Sequence, residues 1–286
     1  MSTPEDFKIF DSHIHTYGVF LAPHKDVISY MDHYHVEKAI ITTINRVKYH
    51  SKQKEYASHT ESQIDFNKYL DEIQNLIPKG QLSHQDVIDI ASKAPDRFYK
   101  FFWFNPKLNP EEEEENYIIL EDHFEKGFIG VKIHGSFNFF KFPKGIYKLA
   151  TFIQDFNKDI ILFIHSHPKT KFHDGTEPQD IAKLAKKFPD LRIIVGHGGF
   201  CMEFAMQVGL LLKKFENLYF ETSCSPSLGI YNLIKTVGHK RIIFGSDSPT
   251  TSTLPIEIEK IISLPRISNE VKQDIFYNNV LNLLKL

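Results

Sequence analysis

The sequence predicts an α/β fold, a (β/α)8 barrel of the TIM type, on three observations. Eight short β-rich runs recur along the chain, helical patterns separate them, and 286 residues is a length such a barrel occupies as one unit. The expected strands are Lys8–Asp11, Lys38–Thr43, Tyr99–Phe104, Phe128–Ile133, Asp159–Ile164, Arg192–Gly196, Leu218–Glu221 and Arg241–Gly245. The helical patterns between them include Pro110–Glu125, Pro143–Phe156, Pro178–Phe188 and Cys201–Phe215. An open, doubly wound sheet is the competing arrangement, but no glycine-rich dinucleotide fingerprint follows the first strand. One interval is irregular. From Asn45 to Pro95 the chain carries polar residues and two helical patterns, Ile64–Leu76 and His84–Ala94. It reads as an enlarged βα segment beside the active face of a single domain spanning residues 1–286. The run Glu111–Glu115 after Asn109-Pro110 reads as a capped helix start, where acids suit the helix dipole.

Composition narrows the function classes. Hydrophobic residues make up 42% and charged residues 24%, the balance of a soluble globular chain with a core that needs no staples. A net charge of -2 offers no polycationic surface to nucleic acid or acidic lipid, so a small-molecule substrate is the expected partner. The two cysteines, Cys201 and Cys224, are too few for a disulfide framework and fit thiols in a reducing compartment. The start "MSTPEDFKIFDSH" lacks the pattern of a signal peptide, and no apolar stretch approaches a membrane span. The expected setting is therefore cytoplasmic, with a homodimer as the quaternary prior.

Fifteen histidines are present, and most read as surface or cap positions. The informative ones end strands. "KIFDSHIH" carries His13 and His15, which alternation places on one face of the first strand. "GVKIHG" ends the fourth with Lys132 and His134, "IILFIHSH" the fifth with His165, "RIIVGHGG" the sixth with His197, and "RIIFGSDSP" the eighth with Asp247. Taken singly, each is explained by packing or capping. Taken together, they converge on the face where barrels hold their sites, and so many buried ionisable groups cost several kcal/mol each unless paired or metal-bound. Imidazoles with a carboxylate suit a divalent transition metal, zinc above all. Bound zinc lowers the pKa of its water to roughly 7. Asp247 is then placed to accept the proton, and His197 to stabilise or protonate a developing oxyanion.

These motifs, in this order, resemble the amidohydrolase superfamily, in particular the branch that includes aminocarboxymuconate-semialdehyde decarboxylase. The resemblance rests on "FDSHIH", "GVKIHG", "LFIHSHP", "FPDLRIIVGHGG", "IIFGSDSP" and the closing "IFYNNVLNLLKL". It implies that His13, His15, His165 and Asp247 hold the metal. His197 would act as acid or base beside one metal or ligate a second. Binuclear members bridge two metals with a carbamylated fourth-strand lysine, so Lys132 and His197 mark a possible second position; one zinc is the favoured expectation. Lys132 and His134 then become substrate-facing groups, Lys132 having a salt-bridged structural role as its alternative. His167 reads as pocket lining and Asp11 as support one layer beneath the histidines. Arg46 is placed either to bind a substrate carboxylate or as a solvated loop residue. Trp103 and Phe137 are aromatic candidates for substrate contact. The expected activity is metal-dependent hydrolysis of a small amide, lactone or related C–N or C–O bond, with non-oxidative decarboxylation of a small carboxylated substrate as the alternative. A nuclease fits less well, given the fourth-strand lysine, and a barrel without catalysis fits poorly because every expected ligand position is filled.

Overall fold

The computed structural model describes residues 3–44, 81–106, 110–138, 140–169 and 175–286, with scattered positions between 55 and 72. Eight parallel strands pair in chain order: β1 (Ile9–His15), β2 (Val36–Thr42), β3 (Phe98–Trp103), β4 (Phe128–His134), β5 (Ile161–His165), β6 (Ile193–Gly196), β7 (Leu218–Glu221) and β8 (Ile242–Ile243). Helices α1 (Val27–His33), α2 (Gln85–Lys93) and α3 (Pro110–Glu125) fill the first connections. The later ones hold the four-residue turn Gly135–Asn138, α4 (Tyr147–Phe156), α5 (Pro178–Lys187), α6 (Met202–Leu212), α7 (Ser227–Val237) and α8 (Leu254–Ile262). The (β/α)8 barrel expected from the sequence is the fold observed. Arg46 and most of the enlarged segment, including all but four positions of the helical pattern Ile64–Leu76, lie outside the described residues, while its last part forms α2.

Alternation along the strands builds two cores. Ile9, Ile41, Phe102, Val131, Leu162, Val195, Phe220 and Ile242 face outward and pack with helix stripes such as Leu149/Ile153, Leu184 and Val208. Phe10, Ile40, Phe101, Ile161, Phe163, Ile194 and Ile243 fill the lumen with Tyr277, Val280 and Leu283 from the last helices. Each such buried apolar side chain contributes about 1.5–3 kcal/mol of transfer free energy. Small residues make room for the large ones: a Cβ on Gly196 would strike the Phe163 ring, and one on Gly245 would strike the Glu221 carboxylate. Asn279, buried, donates from Nδ2 to the carbonyls of His239 and Ile242, each at 2.8 Å, which ties the closing helix to the start of β8.

Closure of the barrel depends on chain beyond β8. Only Ile242 and Ile243 form that strand, shorter than the Arg241–Gly245 expected, because the residues after it turn to β1 instead of β7. Ser12 N–H donates to the Phe244 carbonyl at 2.9 Å, Asp247 N–H to that of His13 at 2.8 Å, and His15 N–H to that of Ser248 at 2.7 Å. β1 also runs on to His15 and carries a register shift between Asp11 and Ile14. That bulge inverts the parity of the strand. Phe10 belongs to the lumen and Ile9 to the outer core before it; Ile14 belongs to the outer core after it, and His13 and His15 turn inward. Asp11 therefore does not lie directly beneath the two histidines on one uninterrupted face. Its carboxylate accepts from the backbone N–H of His13 at 2.9 Å, the N–H of Ser246 at 3.0 Å and the Ser246 hydroxyl at 2.5 Å. Asp11 thus joins the bulge to the closing segment through backbone rather than through an imidazole.

Candidate metal centre

At the C-terminal ends of the strands the lumen changes from apolar to ionisable. His13 and His15 point their Nε2 atoms at one spot shared with Asp247 Oδ1, which lies 3.3 Å from the first and 3.0 Å from the second. The other ring nitrogens are committed. His13 Nδ1–H donates to Glu221 Oε2 at 3.3 Å, and His15 Nδ1–H to the Thr43 carbonyl at 3.0 Å. Those partners place both lone pairs on Nε2, the arrangement in which a carboxylate or carbonyl orients a metal-binding histidine. All three side chains are buried. Burial holds both imidazoles neutral, lowering His13 to about 3 with help from the nearby Lys132 charge, and His15 likewise downward. Burial alone would raise Asp247, but the adjacent His13 and His15 outweigh it and keep the carboxyl well below its usual range.

Lys132 reaches the same spot from β4. Its Nζ lies 2.5 Å from His13 Nε2 and 3.1 Å from His15 Nε2, over the faces of Trp103 and Phe163 at 5.0 and 5.2 Å. Burial lowers its pKa to about 8, opposed by the charges of Asp247 and Glu221. Two imidazole lone pairs thus already meet a cation in the protein's own side chains, with Asp247 Oδ1 beside both nitrogens, and the donor set fits a divalent ion in place of the ammonium. The two cations cannot share the same lone pairs, so metal loading requires Lys132 to give up both nitrogens.

His165 and His197 form a second pair. His165 Nδ1 lies 3.0 Å from His197 Nε2, while His197 Nδ1–H faces the Ser223 carbonyl at 3.2 Å. That assignment leaves the His197 Nε2 lone pair accepting from His165. Among the described residues, the groups close enough to share one ion are His13/His15/Asp247, His13/His197/Glu221 and His197/Cys224/Asp247. His165, expected among the first metal's ligands, lies beside His197 and in none of these three groups. Its ring stacks on His134 at 3.6 Å between centroids, and His134 stacks in turn on Phe137 at 4.2 Å. Burial lowers both His134 and His165 well below the ordinary histidine range. His134 accepts the Phe137 N–H at its Nδ1, at 3.3 Å, and Trp103 lies parallel to it at 5.7 Å. His167 lies past the strand, half-buried, with its ring 5.6 Å from His165.

Glu221 was not singled out by the sequence reading, yet it organises much of the centre. Wholly buried at the end of β7, it takes the His13 ring, the His197 backbone N–H at 3.1 Å, the Ser223 hydroxyl at 2.8 Å and the Ser223 N–H. Burial would raise it, but its bond to His13 and the nearby imidazoles bring it below the usual carboxyl value. The signal was available: an acid ending the otherwise apolar "LYFE" is the pattern that marked the other strand ends. His197, Cys224 and Asp247, each just beyond β6, β7 or β8, adopt left-handed backbone, with φ of 58°, 55° and 54°. Non-glycine residues there store strain, and such strain concentrates at functional sites. Outside this layer, Asp86 of α2 accepts from the hydroxyls of Thr16 at 2.5 Å and Thr43 at 3.0 Å. It borders a cavity lined by Thr43, Ile44, Leu82, Ser83 and Asp86.

Residues 51–286 match the sequence model of the family described as Amidohydrolase. The chain belongs to the amidohydrolase family. This amidohydrolase is accordingly an enzyme of a metal-dependent family, and its His13–His15 strand lies before the matched region. No curated protein matches the chain. Among solved structures, the amidohydrolase superposes on an uncharacterised TIM-barrel protein from Bordetella bronchiseptica with a TM-score of 0.69 and 17% identity, covering 98% of this chain and 99% of the other. A dihydroxybenzoic acid decarboxylase from a Polaromonas species, with bound manganese and 2-nitroresorcinol, gives 0.57 and 17% over 98% and 97%. A 4-oxalomesaconate hydratase from Rhodopseudomonas palustris gives 0.61 and 14% over 97% and 95%. At these identities the likeness is one of fold. Among the described residues, no helix is long and apolar enough to cross a membrane.

Proposed function

We propose that this amidohydrolase is a metal-dependent hydrolase of a small amide, lactone or related carbonyl substrate, with one divalent ion, zinc in first place, held by His13, His15 and Asp247. The observation that carries the reading is the orientation of the two imidazoles: Glu221 and Thr43 fix the protons on Nδ1, so both Nε2 lone pairs meet Asp247 Oδ1. When bound, the ion supplies Lewis acidity to the substrate carbonyl and to water.

The chain's own groups provide the rest. Asp247 is ionised at neutral pH, and its Oδ2 is turned away from the His13–His15 pair toward His197 at 3.9 Å, so it can take a proton from water and return it to the leaving group. His197 holds its proton on Nδ1 against the Ser223 carbonyl, so its Nε2 acts first as an acceptor and donates only after receiving a proton. Lys132, released from His13 and His15, is a cation for a carbonyl or carboxylate oxygen of the substrate. His134, His165 and His167, with Phe137 and Trp103, form an aromatic wall suited to a planar molecule. Arg46 remains a proposed partner for a substrate carboxylate, outside the described residues.

A second reading, non-oxidative decarboxylation, is favoured by the combination of the Lys132 cation with that wall, which suits a planar carboxylated substrate. Similar folds in a decarboxylase and a hydratase are compatible with it. The test is direct: metal-reconstituted protein is offered lactones and N-acyl amides in one panel and carboxylated aromatics in another. Hydrolysis without carbon dioxide release is the expected result. Carbon dioxide release with no lactone or amide turnover would replace the first reading by the second. The same preparation reports the ion by elemental analysis, with about one equivalent of zinc expected.

A further inference from the structure

Asp247 presents its two oxygens to different neighbours. Oδ1 serves His13 and His15, whereas Oδ2 lies 3.9 Å from His197 Nε2 and 3.7 Å from Cys224 Sγ. One donor atom each of His197, Cys224 and Asp247 falls within 4.8 Å of the other two. Cys224 has no task in the reaction proposed above, yet the turn after β7 holds it at a φ of 55°, a conformation unfavourable to a side chain. The Glu221 carboxylate fixes the backbone on both sides, accepting from the N–H groups of His197 and Ser223. A soft sulfur, an imidazole and a carboxylate are thereby gathered beside the first centre, and the imidazole becomes a ligand when His197 Nε2 gives up the His165 Nδ1–H.

We propose that His197, Cys224 and Asp247 form a second metal position, selective for a soft divalent d-block cation and joined to the first through Asp247 as a bridging carboxylate. The inference rests on the reading of His13, His15 and Asp247 as the first position. It differs from a lysine-bridged pair, because the bridge is Asp247 and sulfur is a ligand. Thiolate selects zinc-like cations over magnesium or calcium, whose preferred ligands are oxygen. As the metal–sulfur bond forms, the S–H bond breaks and the proton passes to the solvent; no electron is transferred and no co-reactant is needed. An ion in this position occupies Asp247 Oδ2 and His197 Nε2, the two groups through which the proposed reaction moves its proton. The second ion is therefore inhibitory.

Cobalt(II) chloride added to the metal-free full chain tests this. The first equivalent is expected to give ligand-field bands without a sulfur-to-cobalt charge-transfer band, and the second to bring that near-ultraviolet band. Cys224→Ser should keep the first equivalent, lose the band and weaken the second cobalt by at least about 100-fold; Cys201→Ser should keep both. Alkylation of the unmutated chain, read by mass spectrometry, gives the same answer without a variant: the second equivalent protects Cys224, with Cys201 as internal reference. A second equivalent that binds without the band, a band that survives Cys224→Ser, or cobalt that leaves Cys224 alkylation unchanged overturns the inference. A band that appears with the first equivalent and is lost in Cys224→Ser overturns the His13–His15 position as the primary one and leaves the thiolate site standing.

Discussion

The lower and upper halves of the barrel lumen are built from the same strands and obey opposite rules. Below, Phe10, Phe101, Phe163, Ile194 and Ile243 interlock as an apolar plug that stabilises the fold by burial. One layer above, His13, Lys132, Glu221 and Asp247 are equally dry and ionisable. Each ionisable group there costs desolvation, offset only by its partners, so the upper layer spends stability that the lower layer supplies. The contrast separates two kinds of residue. Changes below should unfold the protein without altering its chemistry, and changes above should alter its chemistry with modest effect on folding.

The comparison can be broken at its most extreme point first. Asp247→Asn should lower turnover of any accepted substrate by about 10²–10⁴-fold with an unchanged circular dichroism spectrum. Full activity in that variant would move the proton acceptor elsewhere. Phe101→Ala should cost about 3–5 kcal/mol in urea unfolding while metal affinity per folded molecule stays constant. A large drop in that affinity would mean the two halves are coupled. Glu221→Gln keeps the shape but weakens the acceptor for His13 Nδ1–H, and should reduce metal affinity about 10–100-fold in competition with a chelator.

The smallest effect concerns a titratable group in the barrel wall. His84 is buried, its ring stacks on Phe102 at 4.0 Å, and its Nε2 accepts the Trp103 N–H at 2.7 Å. Burial, reinforced by the nearby His123, lowers it from 6.5 to about 3. The unfolded chain therefore takes up a proton below pH 6.5 that the folded one refuses until about 3, so stability falls as pH drops through that window. At pH 5 the penalty is about 2 kcal/mol. His84→Gln retains an acceptor and should lose that much less stability between pH 7 and pH 5, measured by urea unfolding at both values. An equal acid loss in the variant would assign the effect to the upper layer.

Much of the fold was legible because a parallel barrel writes its strands as short apolar runs at recurring intervals. Leu218–Glu221 and Pro110–Glu125 are observed at the boundaries expected. The convergence of His13, His15 and Asp247 was legible for a related reason: a polar residue ending an apolar strand has nowhere to go but the site face. Glu221 obeys that rule too, but a single acid closing a strand also reads as an ordinary exit into solvent. The bulge in β1 was illegible, since register is a property of the neighbouring strand. Cys224 lies in a turn whose sequence, "TSCSPS", carries no periodic signal, and its proximity to Asp247 exists only across two strand ends.

The sequence by itself determined the strand count, the order of the helices and the ionisable residues that share one face, because hydrophobic periodicity and strand-end chemistry are local. Tertiary structure alone decided which of those residues meet. Hydrogen bonds to Glu221 and Thr43 choose the tautomers of His13 and His15, closure by the segment after β8 brings Asp247 to them, and His165 pairs with His197 across two strand ends. These are contacts between residues far apart in the chain, and their geometry follows from packing that no local pattern encodes.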